Sequence, residues 1–324
     1  MIEKDKKEDA TEKSVEFQKS LKLLKSGEVI GLPTETVYGL AGDITRPEAI
    51  EKIFRTKERP YFDPLIVHIA DLAEAHNIVA KWPDLAQRLA AKFWPGPLTI
   101  VLPKRADINP MITSGLETVG LRMPRHELTR KLIRQLGHAV AAPSANKFGR
   151  TSPSTAEHVR TEFGDDLFVL DGGPCEVGLE STVIGFSADF KEIEIYRPGA
   201  ITLEMLTEIA PTRTQASSAS PGHLKHHYMP KVPLVVVKHL EDFGIGLYES
   251  IRQRLGLKVL YPTWMRLPPE PTLAARLLYS NMRIAAEKNP RANLIIIAYD
   301  TTSRTDGLWA AVTDRLTRAA TLIS

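Results

Sequence analysis

Cysteine is almost missing from this sequence: Cys175 is the one copy in 324 residues. A disulfide within the chain is therefore impossible, as is a zinc site built from several thiolates, and the residue reads as a small hydrophobe. No apolar run approaches the roughly 20 residues that a bilayer-spanning helix requires. A dominant charge is missing too. The 42 Lys and Arg against 39 Asp and Glu leave a formal net charge of +3. That is too mild to mark a nucleic-acid binder, so any basic function must come from local clustering. No Walker loop, HExxH helix or nucleophile-elbow pattern occurs. Gly244 and Gly246 make a mere fragment of a dinucleotide fingerprint, lacking the third glycine and a clear preceding strand. His223, His226 and His227 lie on a loop-like stretch without an acidic residue. They are a poor set for a transition metal, and no metal site is expected.

What is present is an ordinary globular composition, 43% hydrophobic and 25% charged, long enough for two domains. The opening MIEKDKKEDATEK alternates charge around no apolar core and reads as a frayed tail, neither signal peptide nor anchor. Helical spacing follows over 15–25, closed by Gly27. Apolar runs predict strands over 28–32, 65–69, 98–102, 119–123, 139–142, 167–170, 182–186 and 192–196. Helices are expected near 84–93, 127–135 and 156–163. Thr45-Arg46-Pro47-Glu48 carries a capping-box signature ahead of a further helix. The irregular alternation predicts a mixed, twisted α/β sheet. The polar stretch 212–220 reads as a linker. After it, strands over 234–237, 258–261 and 294–298 alternate with helices over 247–255, 273–287 and 308–320, a small three-layer βαβαβα unit.

Several polar residues interrupt this pattern. The first strand leaves through GLPTETVYG, whose crowd of hydroxyls exceeds what a turn needs. Lys57 and Arg59 precede Pro60 and Pro64, which places two cations on a loop, either as a solvated run or as a grip on a polyanion such as a triphosphate. Ser144 and Asn146, in APSAN, follow a short strand, either as turn-formers or as ligand-binding side chains. Arg122 and His68 each sit inside an apolar strand. Arg122 faces solvent or clamps an anion, and His68 is a structural residue or part of a site. Ser181 begins a strand, and Arg197 ends one before Pro198-Gly199.

The ordered set of PTETVYGL (33–40), KERP (57–60), PLIVHI (64–69), WPGPLT (94–99), GLRMP (120–124), APSAN (142–146), LESTVI (179–184), RPG (197–199) and SPGHLKHHYMP (220–230) resembles the threonylcarbamoyl-AMP synthase family in its long, two-domain form. Each motif alone is weak; their order over nearly the whole chain is specific. The resemblance implies a YrdC-like catalytic domain over 14–209, a linker and cover over 210–233, and a smaller Rossmann-like domain over 234–324. It implies that L-threonine, bicarbonate and ATP, with Mg²⁺ on the nucleotide, give threonylcarbamoyl-AMP and pyrophosphate. A separate transferase machinery would then modify tRNA, in the cytoplasm and without a membrane. It assigns Thr34, Thr36, His68, Arg122, Ala142 and Ser181 to threonine. To ATP it assigns Lys57, Arg59, Asp63, Thr118, Ser144, Asn146, Ser152, Arg197 and Tyr228, with Lys57 and Arg59 acting on the transfer. Tyr228 resembles a residue that folds over the nucleotide. Asp63 stands where Asn is expected, and Phe148 where a small residue is usual. A non-catalytic RNA-binding module of the same fold is the rival reading, and direct tRNA binding has no sequence support beyond that association.

Overall fold

The structure, a computed structural model, describes residues 14–217, 219, 227–288 and 290–323. The expected tail over 1–13 and, within the expected linker and cover over 210–233, residues 218 and 220–226 with His223 and His226 lie outside the described residues. The chain divides into two compact units, one within 1–148 and 153–223, the other within 149–152 and 224–324.

In the first unit, Ser14 caps α1 (Val15–Lys25) by accepting from the Phe17 N–H at 3.2 Å. The chain then runs β1 (Ile30–Leu32), β2 (Gly39–Asp43), α2 (Pro47–Lys57), β3 (Ile66–His68), α3 (Asp84–Phe93), β4 (Leu98–Pro103) and β5 (Thr118–Arg122). It continues through α4 (Glu127–Leu136), β6 (Val140–Ala141), α5 (Ala156–Phe163), β7 (Thr182–Phe186), β8 (Ile193–Arg197), α6 (Leu203–Thr207) and β9 (Thr212–Thr214). The strands form one sheet in the order β1-β2-β6-β3-β5-β4-β7-β8-β9. The pairs β3–β5, β4–β7 and β8–β9 are parallel and the others antiparallel, so the sheet is mixed as the spacing predicts.

Alternation along the central strands sorts their side chains between two faces. Val67, Leu121, Ile100 and Ile184 join the main core, under Ile50, Ile53 and Phe54 of α2 and Leu85, Leu89 and Phe93 of α3. The opposite face carries a small apolar cluster of Ile66, Val101 and Val183. It also carries His68 and Arg122, which are register partners in β3 and β5. The two polar residues that break the apolar runs therefore share one face of the sheet. A second core, from Phe17, Leu21 and Leu24 of α1 and Leu132, Ile133 and Leu136 of α4, covers Ile30, Leu32 and Val140 nearby.

The second unit is a parallel sheet in the order β11-β12-β10-β13, built from β10 (Leu234–Val237), β11 (Pro262–Met265), β12 (Leu294–Ala298) and β13 (Leu322–Ile323). Between them run α7 (Ile245–Arg254), α8 (Pro271–Glu287) and α9 (Gly307–Ala319). Val235, Val237, Leu294 and Ile296 pack with Ile251 of α7.

Local readings differ in places. Thr45 does not cap α2: its N–H and hydroxyl both bond Asp43 Oδ1, at 2.9 and 2.8 Å, so Arg46 is the N-cap and makes no side-chain capping bond. Residues 212–214 are not linker but the edge strand β9, paired with β8. The strand expected over 258–261 lies at β11, four residues later, with Pro262 at its first position, where a missing N–H is tolerated. Residues 167–170 give only a single bridge, between Val169 and Gly31. Among the described residues, no helix is long and apolar enough to cross a membrane.

Candidate active site

The hydroxyls of the 34–36 turn form a directed relay. Thr34 Oγ1 donates to the Val37 carbonyl at 2.6 Å and accepts from the N–H groups of Thr36 and Val37 at 3.2 Å each. Its proton is thus committed, so at 2.8 Å Thr36 Oγ1 must be the donor to Thr34. Thr36 Oγ1 in turn accepts from Arg122 NH1 at 2.9 Å. Arg122 also gives Nε–H to the Gly96 carbonyl at 3.3 Å. Its NH2 lies 2.8 Å from Glu35 Oε1, and both side chains are at least 95% buried. Sequence reasoning passed over Glu35, although an acid between two small hydroxyl residues at a strand exit was a visible signal.

His68, on the same face, has its pKa lowered to about 3 by burial and then by the Arg122 charge. It is neutral at ordinary pH. Its Nδ1 lies 3.3 Å from the Ile66 carbonyl, which can only accept, so the proton sits on Nδ1 and Nε2 presents a lone pair. Ser181, just before β7, has its hydroxyl 2.8 Å from that of Thr99 and accepts from Arg197 NH2 at 3.2 Å, while its carbonyl accepts from the same NH2 at 3.0 Å. The Cys175 thiol is pushed up to about 12 by burial and the Glu35 charge, so it is no thiolate nucleophile.

Gly199 lets the turn after Arg197 lie against this strand start. A Cβ there would stand 2.4 Å from the Thr182 nitrogen and 2.8 Å from the Ser181 carbonyl carbon. Gly199→Ala is expected to cost about 1–3 kcal/mol in urea unfolding, because the obstructing atoms are backbone and cannot swing aside. Unchanged stability would contradict that close approach.

Lys57 and Arg59 are not on an open loop. Lys57 is the last residue of α2 and is 1% exposed. Glu58 takes a left-handed conformation, φ 53°, and turns its own side chain out to Lys147 while its two neighbours point in. Lys57 Nζ donates to the carbonyls of Ser144 and, at 2.5 Å, Asn146. Among the described residues its third N–H has no matching acceptor. Burial, then the Arg59 charge, hold its pKa well below the ordinary lysine value. Phe148 anchors this corner through its backbone, donating to the Lys57 carbonyl at 2.8 Å. Arg59 gives Nε–H to the Asp63 carbonyl at 3.0 Å and NH2 to the Pro64 carbonyl at 2.8 Å, and its NH2 is 2.9 Å from Asp63 Oδ2. The carboxylate at position 63 is therefore ion-paired with Arg59, though neither of its oxygens has a hydrogen-bond partner among the described residues.

The structure thus brings Thr34, Thr36, Arg122 and His68 together, ties Ser181 to Arg197, and ties Lys57 to Ser144 and Asn146. Ala142 links β6 to the 143–146 turn, with its N–H on the Ile66 carbonyl at 3.0 Å. Thr118 shares a face with Arg122 but lies at the other end of β5, about 13 Å along the strand. Ser152 and Tyr228 fall in the second unit. There Tyr228 is buried and stacked on Tyr279, with ring centroids 5.7 Å apart. Among the described residues no three His, Cys, Asp or Glu are grouped to hold a metal.

A family model for Sua5/YciO/YrdC proteins, described as "Telomere recombination", matches residues 22–199. The chain belongs to this family. A second Sua5 model, described as "Threonylcarbamoyl-AMP synthase, C-terminal domain", matches residues 201–321. A threonylcarbamoyl-AMP synthase of Bacillus subtilis is 40% identical over 252 residues, 72% of this chain and 71% of its own length. One of Pyrococcus abyssi is 38% identical over 229 residues, 68% and 67%. The crystal structure of P. abyssi Sua5 complexed with L-threonine superposes with a TM-score of 0.81 over 95% of both chains, at 30% identity. Among these Sua5 relatives both units of the chain have counterparts.

Proposed function

We infer that this chain is a threonylcarbamoyl-AMP synthase, joining L-threonine, bicarbonate and ATP with release of pyrophosphate. The observation that carries this reading is the match over nearly the whole of both chains to a Sua5 protein crystallised with L-threonine. The geometry supports it. Arg122 is built to meet a carboxylate, with its NH2 short of hydrogen-bond partners. Thr34 and Thr36 fix that guanidinium, and the Nε2 lone pair of His68, Ser181 and the Ala142 backbone complete a pocket for a small hydroxylated amino acid. Lys57, Arg59, Ser144, Asn146 and Arg197 face the triphosphate in this reading. Asp63 acts by holding Arg59.

In the reaction, the threonine amine and bicarbonate condense to a carbamate with loss of water. A carbamate oxygen then forms its bond to the α-phosphorus as the bond to pyrophosphate breaks. Such a transfer asks the protein for alignment and charge neutralisation more than for covalent help. Mg²⁺ fits as the nucleotide's own counter-ion, since Asp63 is ion-paired with Arg59 and Mg²⁺ commonly keeps waters and phosphates as ligands. Bound there, it would neutralise phosphate charge. A cytoplasmic transferase would consume the labile product on tRNA. The test is pyrophosphate release from ATP and bicarbonate. Release should require threonine, and release indifferent to threonine overturns the assignment.

A further inference from the structure

An α-amino acid is a zwitterion, and a buried pocket that recognises it needs both signs of charge. The residues assigned above to the threonine substrate contribute one charge, Arg122, because His68 is held neutral. We propose that Glu35 is the missing partner and binds the substrate's ammonium group. This rests on the reading of Arg122 as the carboxylate clamp.

Glu35 is 2% exposed. Although Oε1 lies 2.8 Å from Arg122 NH2, the pair is outside hydrogen-bonding geometry, and neither oxygen of Glu35 nor that NH2 has a hydrogen-bond partner among the described residues. Such an arrangement is costly. A buried ion pair repays its desolvation only when its remaining lone pairs and protons are also satisfied. The deficit has the shape of a ligand: two acceptor oxygens beside a cationic donor. Covalent geometry places the nitrogen of an α-amino acid about 2.5 Å from its carboxyl carbon, which suits charges separated by the width of one ion-pair contact. The ligand carboxylate accepts from Arg122 NH2 and the ammonium donates to Glu35, so that four charges alternate in sign.

The carboxylate is also aimed. The Glu35 carbonyl accepts from the Val177 N–H at 2.8 Å, and the Thr34 hydroxyl ties the turn on its other side. A backbone fixed on both sides leaves little freedom for the side chain to search, which is how a recognition group becomes selective.

The test compares two ligands on two proteins by calorimetry: L-threonine, and 3-hydroxybutanoate, which is threonine without its amine. Wild-type protein is expected to prefer threonine by about 10- to 150-fold, the range of a charged hydrogen bond. In Glu35→Gln, which keeps shape and removes charge, threonine should weaken by a similar about 10- to 150-fold. The amine-free analogue should bind no worse, having lost a repelling carboxylate. Glu35→Gln that binds threonine as well as wild type, or better, overturns the proposal and makes Glu35 an internal competitor for Arg122. Wild-type protein that binds both ligands equally overturns it without any variant, should Glu35→Gln not fold. Wild-type protein that binds no threonine overturns the Arg122 reading as well, which separates the two failures.

Discussion

Arg122→Ala is expected to lose at least about 100-fold in threonine affinity by titration calorimetry, as a charged and directional carboxylate contact disappears. The same change should cost about 3–5 kcal/mol of stability, because Glu35 would be left buried and unpaired. These effects must be separated, since an unfolded variant also fails to bind. The double variant Arg122→Ala/Glu35→Gln does so. Removing both charges of a buried pair restores much of what removing one destroys. Its denaturation midpoint should move back toward wild type while threonine binding stays absent. Because Arg122 is assigned to substrate binding and not to phosphorus, the defect should appear chiefly in KM for threonine. Normal threonine binding by the single variant would remove the amino-acid pocket from the account altogether.

The sequence made some of this legible for a definite reason. His68 and Arg122 break apolar strands, and two-residue alternation then forces each onto one face; their shared register in β3 and β5 makes it the same face. The relay through Thr34 and Thr36 could be suspected from the crowded turn, but its direction depends on which carbonyl Thr34 meets. Glu35 escaped because an acid in a turn reads as solvated until its burial is known. Asp63 looked like a liability beside phosphates and is instead the partner of Arg59. β2 was hidden because Gly39 and Gly42 lower strand propensity, and tertiary pairing to β1 and β6 overrides it. β9 was hidden because a polar edge strand needs no apolar pattern. Pro60 suggests a stop before Lys57, whereas Glu58, in a left-handed conformation, ends the helix one residue beyond it.

The second large effect is expected at Lys57. Lys57→Met should reduce kcat by about 10²–10³-fold, the loss seen when one preorganised donor to developing charge is removed. Stability should change far less, because two contributions oppose one another. The ammonium is desolvated and near Arg59, so removing it relieves a cost, yet the Ser144 and Asn146 carbonyls lose their donor at about 1–3 kcal/mol each. pH separates the two roles of this charge. The folded pKa is depressed, so between it and the ordinary 10.5 the unfolded chain binds the more protons. Stability of the ligand-free protein attributable to Lys57 therefore rises with pH across that window. ATP affinity should run the other way, falling as the ammonium needed by a polyanion loses its proton. Titrations with ATP from pH 7 upward should show that decline in wild type and a flatter profile in Lys57→Met. A wild-type affinity that holds constant up to the ordinary lysine value would mean that the buried amine never meets the nucleotide, and that its two carbonyl bonds are its whole purpose.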